Sequence, residues 1–196
     1  MRSVHLRANK FVTGFSLIEL MVVLVVMGIL AIAVVPSLQI FFVNSRIRNA
    51  AESFQNGLRL AQGEAVKRNA QVDFVMTTAD QFASNAANGS PTASTAGTLW
   101  VARVPASTFI SGKTTTENST TSTVTATMPV GCAAFTGVVS FNGLGRTLLP
   151  CNLSLAFDDS ASTDSAKRPL TVLVAPGGKV RMCNPLFAAG DPQACS

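Results

Sequence analysis

Few side chains in this sequence can do covalent or acid–base chemistry. His5 is the only histidine, so Ser-His-Asp catalysis, Cys-His catalysis and histidine-ligated metals have almost nothing to work with. Asp158 and Asp159 are adjacent, so on a strand they point to opposite faces and make a poor general acid–base pair. With Asp164 they could offer oxygens to calcium, but the ligand order of an EF-hand is absent, and a solvated acidic turn is the expectation. Cys132, Cys151, Cys183 and Cys195 show no C-x-x-C spacing, which argues against a zinc ribbon or a thioredoxin-like site. What remains is charge. Lys179 and Arg181, two apart on a strand, share one face about 6–7 Å from each other, with Val180 and Met182 on the other. Such a pair can meet successive phosphates, and Arg146, Lys167 and Arg168 are candidates to extend it. No catalytic residue, metal or cofactor is predicted.

The elements that must position these groups follow from composition. The 196 residues are 47% apolar and only 13% charged, about half the usual charged share, so apolar sequence is concentrated somewhere. The formal net charge of +5 is misleading. Arg2, Arg7 and Lys10 precede residue 14, and residues 70–196 carry seven basic and seven acidic side chains. A generally basic nucleic-acid binder is therefore not supported, and any anion site has to be local.

The apolar sequence lies at residues 15–35, where Ser16 and Glu19 are the only strongly polar residues. As a helix it is about 31 Å long, enough to cross a bilayer core. The basic residues before it place the N-terminus in the cytoplasm and the rest outside. A secretory signal peptide is the competing reading, with an apolar stretch at 20–32 and a small-residue site at Ala31-Ile32-Ala33. Glu19 at the mouth of the run and the continuation of the helical pattern past Pro36 argue against it. Gly28 and Pro36 are the expected soft points, since Pro36 removes the bond to the Ile32 carbonyl. Beyond it Ile47, Ala50, Ala51, Phe54, Leu58, Ala61 and Ala65 make one apolar stripe. Arg48/Glu52 and Glu64/Arg68 are spaced as i,i+4 pairs. Strand patterns follow at 72–76, 99–104, 123–128, 138–141, 153–157, 170–175 and 179–182, with a tight hairpin at Pro176-Gly177-Gly178. Ser- and Thr-rich stretches at 83–98 and 111–127 read as surface loops, part of the second as an exposed edge or hairpin. The expected fold class is α+β, a long helix laid on an antiparallel sheet.

Gly14-Phe15-Ser16-Leu17-Ile18-Glu19, after a short basic leader and before an apolar run, resembles the prepilin motif of type IV pilins and type II secretion pseudopilins. The resemblance implies cleavage between Gly14 and Phe15 by the prepilin peptidase and N-methylation of Phe15. It implies a kinking proline at Pro36, and for Glu19 an assembly role opposite the N-terminal amine of a neighbouring subunit's Phe15. An intramembrane carboxylate is costly and needs such a partner; the plainer alternative is a Glu19 that snorkels to water. Residues 170–185, with Phe141-Asn-Gly-Leu-Gly-Arg146 before them, resemble the C-terminal hairpin of GspH/FimT-type minor pilins and pseudopilins. Gly178-Lys179-Val180-Arg181 resembles the G-R-x-R motif with which DNA-binding FimT proteins take up DNA. Lysine at 179 keeps the charge and loses the bidentate fork.

The resemblance divides the chain into a removed leader (1–14), a transmembrane and filament-core helix (15–36), its amphipathic continuation (37–69) and a periplasmic β-rich domain (70–196). In an oxidising periplasm four cysteines make two disulfides. Three pairings are open, and Cys132–Cys151 with Cys183–Cys195 is favoured because each closes a compact local loop. The expected function is a minor pilin or pseudopilin in filament initiation or tip assembly. Its partners would be other pilins, the prepilin peptidase and the inner membrane. Alternatives are a DNA-uptake subunit binding DNA without sequence specificity, and an unrelated membrane-anchored periplasmic protein.

Overall fold

The computed structural model describes residues 15–78, 91–105, 109–113 and 121–195, except the side chains of 33, 34 and 36. The leader with Gly14, and the Ser/Thr-rich sequence at 79–90 and 114–120, lie outside the described residues. One helix, α1, runs over Leu17–Arg68. It starts where the Ser16 carbonyl accepts from the amides of Glu19 and Leu20. It stops at Asn69, whose left-handed φ of 47° turns the chain out while the Ala70 amide closes on the Ala65 carbonyl and the Asn69 amide on the Val66 carbonyl, the bond pair of a Schellman cap. Lys67 and Arg68 in the last turn oppose the helix dipole's negative end.

The chain divides into two compact units, residues 1–39 and 40–196. The described part of the first is helix alone, exposing apolar side chains from Leu17 to Leu38. Among the described residues, no single helix is long and apolar enough to cross a membrane. Leu17–Ile32 and Ser37–Arg68, taken as a pair across the break between them, satisfy that length and composition. Helix α1 includes both Gly28 and Pro36.

In the second unit the helical stripe does what its spacing predicts. Ile47, Ala50, Ala51, Phe54, Leu58, Ala61 and Ala65 are all buried. They lie against two four-stranded antiparallel sheets rather than the single sheet expected. The first has the order β3 (Phe109–Lys113), β2 (Leu99–Arg103), β1 (Val72–Thr77), β5 (Val138–Phe141); the second has β4 (Ser122–Thr127), β6 (Leu153–Asp159), β7 (Leu170–Val174), β8 (Val180–Cys183). Phe54 joins all three layers, edge-on to Phe74 of β1 at 5.7 Å and to Phe157 of β6 at 5.1 Å. Such offset pairs add to the area buried. Trp100 stacks on Phe74 at 5.4 Å and donates its indole N–H to Ser53 Oγ at 3.0 Å, which makes it a core residue.

The second sheet has two different faces. Along β6 burial alternates, with Leu153, Leu155, Phe157 and Asp159 inward and Ser154, Ala156 and Asp158 outward. Val172, Val174 and Val180 complete the inner face. The outer face is the one toward which Arg181 of β8 points, opposite Leu173 of β7.

Candidate functional site

The N-terminal group is simple in geometry. Phe15 and Glu19 are one helical turn apart, both exposed, and with Leu20 and Val23 they line a shallow recess of about 250 Å³. The recess is apolar apart from the carboxylate, so it offers a charge inside an otherwise lipid-compatible or helix-compatible surface. Gly14 lies outside the described residues.

The second group is built by the β7–β8 hairpin. The Gly178 amide donates to the Ala175 carbonyl at 2.8 Å and the Ala175 amide to the Lys179 carbonyl at 3.0 Å. Gly178 has φ of +88°, and a Cβ there would run into the Gly145 carbonyl oxygen. The glycine thus serves conformation and close approach, and it sets where Lys179 emerges. Gln62 of α1 locks the same corner, donating from Nε2 to the Gly145 carbonyl at 2.7 Å and the Gly178 carbonyl at 2.9 Å. Val180 turns inward, whereas Lys179 is exposed and Arg181 half-buried, the alternation expected from the sequence.

Register places side chains in rows across the strands. Thr127, Ser154, Leu173 and Arg181 are successive partners in β4, β6, β7 and β8. With Met128, Pro129, Lys179 and Cys195 they line an open groove of about 470 Å³. Both sides are held by disulfides, Cys132–Cys151 beyond Pro129 and Cys183–Cys195 at the other wall. The C-terminal segment folds back over β8, where the Asn184 amide donates to the Gln193 carbonyl at 2.7 Å. Arg181 Nη1 reaches the Ala194 carbonyl at 3.5 Å.

The five cations considered from the sequence do not form one patch. Arg146 is exposed in a turn held by Asn142 Oδ1, beside the hairpin turn, where the Thr147 amide donates to the Pro176 carbonyl at 3.2 Å. Lys167 and Arg168 precede β7 at the opposite end from Lys179, roughly 20 Å away along the strand. Lys167 Nζ bonds Asp158 Oδ1 at 2.9 Å and the Asp159 carbonyl at 3.2 Å. The Arg168 amide donates to Asn44 Oδ1 at 2.8 Å.

That end of the sheet is a clasp the sequence reading did not find. Asp159 is not in a solvated turn. Its carboxylate is fully buried and accepts from Arg46 Nε at 2.8 Å, Thr121 Oγ1 at 2.9 Å and the Ala161 amide at 2.8 Å. Burial pushes its pKa up, but the Ala161 amide, Arg46 and Thr121 outweigh that and hold it below the ordinary carboxylate value. Asp158, on the opposite face, is exposed. The arrangement ties α1 to the second sheet. The available signal was the β6 alternation itself, which continued from Phe157 sends Asp159 inward.

Comparison with known proteins follows the same outline. The family of the type II transport protein GspH matches residues 50–178, and the prokaryotic N-terminal methylation motif matches residues 10–35. No curated protein matches the chain. The fold is similar to the crystal structure of the type IV minor pilin FimU of Pseudomonas aeruginosa PAO1. TM-score is 0.51 at 15% identity, over 78% of this chain and 96% of that one. A second crystal form of FimU gives 0.48 at 16% identity, over 76% and 99%.

Proposed function

Since the chain belongs to the GspH family and carries the N-terminal methylation motif, we propose that it is a minor subunit of a pilus-like filament, acting in initiation or tip assembly. One observation carries the reading. The helix before residue 40 exposes an almost unbroken apolar surface, with Glu19 one turn from Phe15 as its single acidic group. Such a surface is stable in a bilayer or packed among like helices. Glu19 gains most where an opposite charge meets it away from water. A free amine on a neighbouring subunit's Phe15, created by cleavage after Gly14, is the partner of that kind. The prepilin peptidase makes the cut, and the subunit waits in the inner membrane with its globular unit in the periplasm.

Both type IV pilus and type II secretion filaments use subunits of this build. Membership of the family removes the reading as an unrelated anchored protein. DNA as a ligand has weaker support, because Lys167 is occupied by Asp158 and stands at the far end of the sheet from Lys179.

The test is intact-mass analysis and filament recovery in cells. The membrane form is expected to begin at Phe15 with one added methyl group. Glu19→Ala is expected to be processed normally yet missing from the sheared filament fraction, and Gly14→Ala to retain its leader. A parent chain that keeps residues 1–14, or a Glu19→Ala chain recovered in filaments at the parent's level, overturns the proposal.

A further inference from the structure

We infer that the groove on the outer face of the second sheet is a docking site for an extended, acidic segment with apolar flanking residues, carried by the globular domain of another filament subunit. The inference rests on the filament reading above and adds to it the chemistry of the periplasmic contact.

Three observations select that occupant. The groove is polarised. Lys179 and Arg181 stand on the β8 side, the hydroxyls of Thr127 and Ser154 on the β4–β6 side, and Leu173, Met128 and Pro129 between and beside them, with no carboxylate among the lining residues. Two cations about 6–7 Å apart on alternate positions match carboxylates on alternate positions of an extended chain, whose side chains have the same repeat. A strand bound across the rows would put its acidic side chains over β8 and its apolar ones over Leu173 and Met128.

The second observation is rigidity. Both walls are tied by disulfides, Cys132–Cys151 and Cys183–Cys195, and Ala194, which precedes the second bridge, is buried. A preformed groove loses little entropy on docking a peptide. Its volume, about 470 Å³, lies within the range of about 300–1,000 Å³ typical of ligand pockets. Val130, next to the lining residue Pro129, is exposed and adds apolar area beside the groove.

Third, the lining suits nucleic acid poorly. Single strands are held by aromatic platforms, and the lining contains no aromatic ring. Duplex is held by many phosphate contacts, whereas two cations line the groove and residues 70–196 carry as many acidic as basic side chains.

The experiment uses the full chain in detergent micelles with fluorescence anisotropy. Three labelled probes are compared: a capped hexapeptide of alternating leucine and glutamate, its leucine–lysine counterpart, and a 20-base-pair duplex. The glutamate peptide is expected to bind, at least tenfold more weakly to Lys179→Gln/Arg181→Gln and several-fold more weakly to Leu173→Ser, and the lysine peptide not at all. Both variants change outward-facing side chains, and alkylation followed by mass analysis establishes that their disulfides remain closed. Absence of glutamate-peptide binding, or equal binding by the double variant, overturns the proposal. So does tighter binding of the duplex that is lost in the double variant, which would assign the cations to nucleic acid. Recovery of the double variant in sheared filaments separates the two readings. Presence there with failure of the peptide test overturns the docking site and leaves the filament subunit standing, whereas absence of the parent itself overturns the filament reading.

Discussion

Replacing Arg46 by Met would strand the Asp159 carboxylate inside the clasp between α1 and the second sheet. Asp159 is completely buried, while the Arg46 side chain is 36% exposed. Breaking a buried pair by removing one member costs about 3–5 kcal/mol. Two effects reduce that figure here. Water screens the exposed part of the guanidinium, and Asp159 keeps its bonds from Thr121 and the Ala161 amide. The expected loss is about 2–3 kcal/mol at pH 7. The sign with pH follows from the carboxylate. Its folded pKa lies below the unfolded one, so its contribution is complete above about 3.9 and is lost as pH falls through the folded value. Without Arg46 the burial that raises the pKa is less opposed, so the gap between parent and variant should close as pH falls from 5 to 3. Trp100 is the single tryptophan, tyrosine is absent, and Trp100 sits between α1 and β1. Its emission during urea unfolding of the full chain in micelles therefore reports this unit. A difference under about 0.5 kcal/mol at pH 7, or one unchanged between pH 7 and pH 3, would refute the argument.

The same fluorescence assay checks three further expectations. Gly178→Ala combines a left-handed φ with a clash against the Gly145 carbonyl oxygen and should cost at least about 2 kcal/mol; a cost near zero would mean the two turns separate freely. Gly57→Ala places a Cβ 2.7 Å from the Trp100 ring; it should cost about 1–3 kcal/mol by overpacking and shift the folded-state emission, and an unchanged spectrum would count against that packing. Replacing Cys183 and Cys195 together by Ser opens a loop closed over a separation of 12 residues and should cost about 3 kcal/mol in the chain-entropy estimate, read as a lower urea midpoint against the oxidised parent.

How much of this was legible depended on whether the signal was local. The helical stripe could be read because burial repeats every three or four residues, and all seven residues assigned to it are buried. Strand β5 was readable to its ends and β1 nearly so, since apolar runs between turn residues have little else to become. Strand β3 was missed because Phe109 and Ile110 are followed by Ser111, Gly112 and Lys113, which match loop composition. Its status as a strand comes from pairing with β2. The division into two sheets was not legible, because which strands pair is a property of long-range register. Asp159 was misread for the same reason. Next to Asp158 and near Asp164 it looks like part of an acidic turn, and its partner Arg46 lies 113 positions away in the chain.

The hairpin shows how a single short motif can hold two separable pieces of information. Gly178 answers to the fold, since its φ and its contact with Gly145 are required for the β7–β8 turn to meet the turn after β5, with Gln62 bonding both carbonyls. Lys179 is exposed, so nothing in the packing demands its charge, whereas Arg181 is half-buried and reaches the Ala194 carbonyl from Nη1. A polar uncharged residue at position 179 should leave stability within about 0.5 kcal/mol. The glycine therefore serves the turn, while the cations bear on the docking proposed for the outer face. Because Lys167 is held at the far end by Asp158, the docking proposed for this face rests on two charges and one groove. That scale matches a peptide segment better than a polyanion.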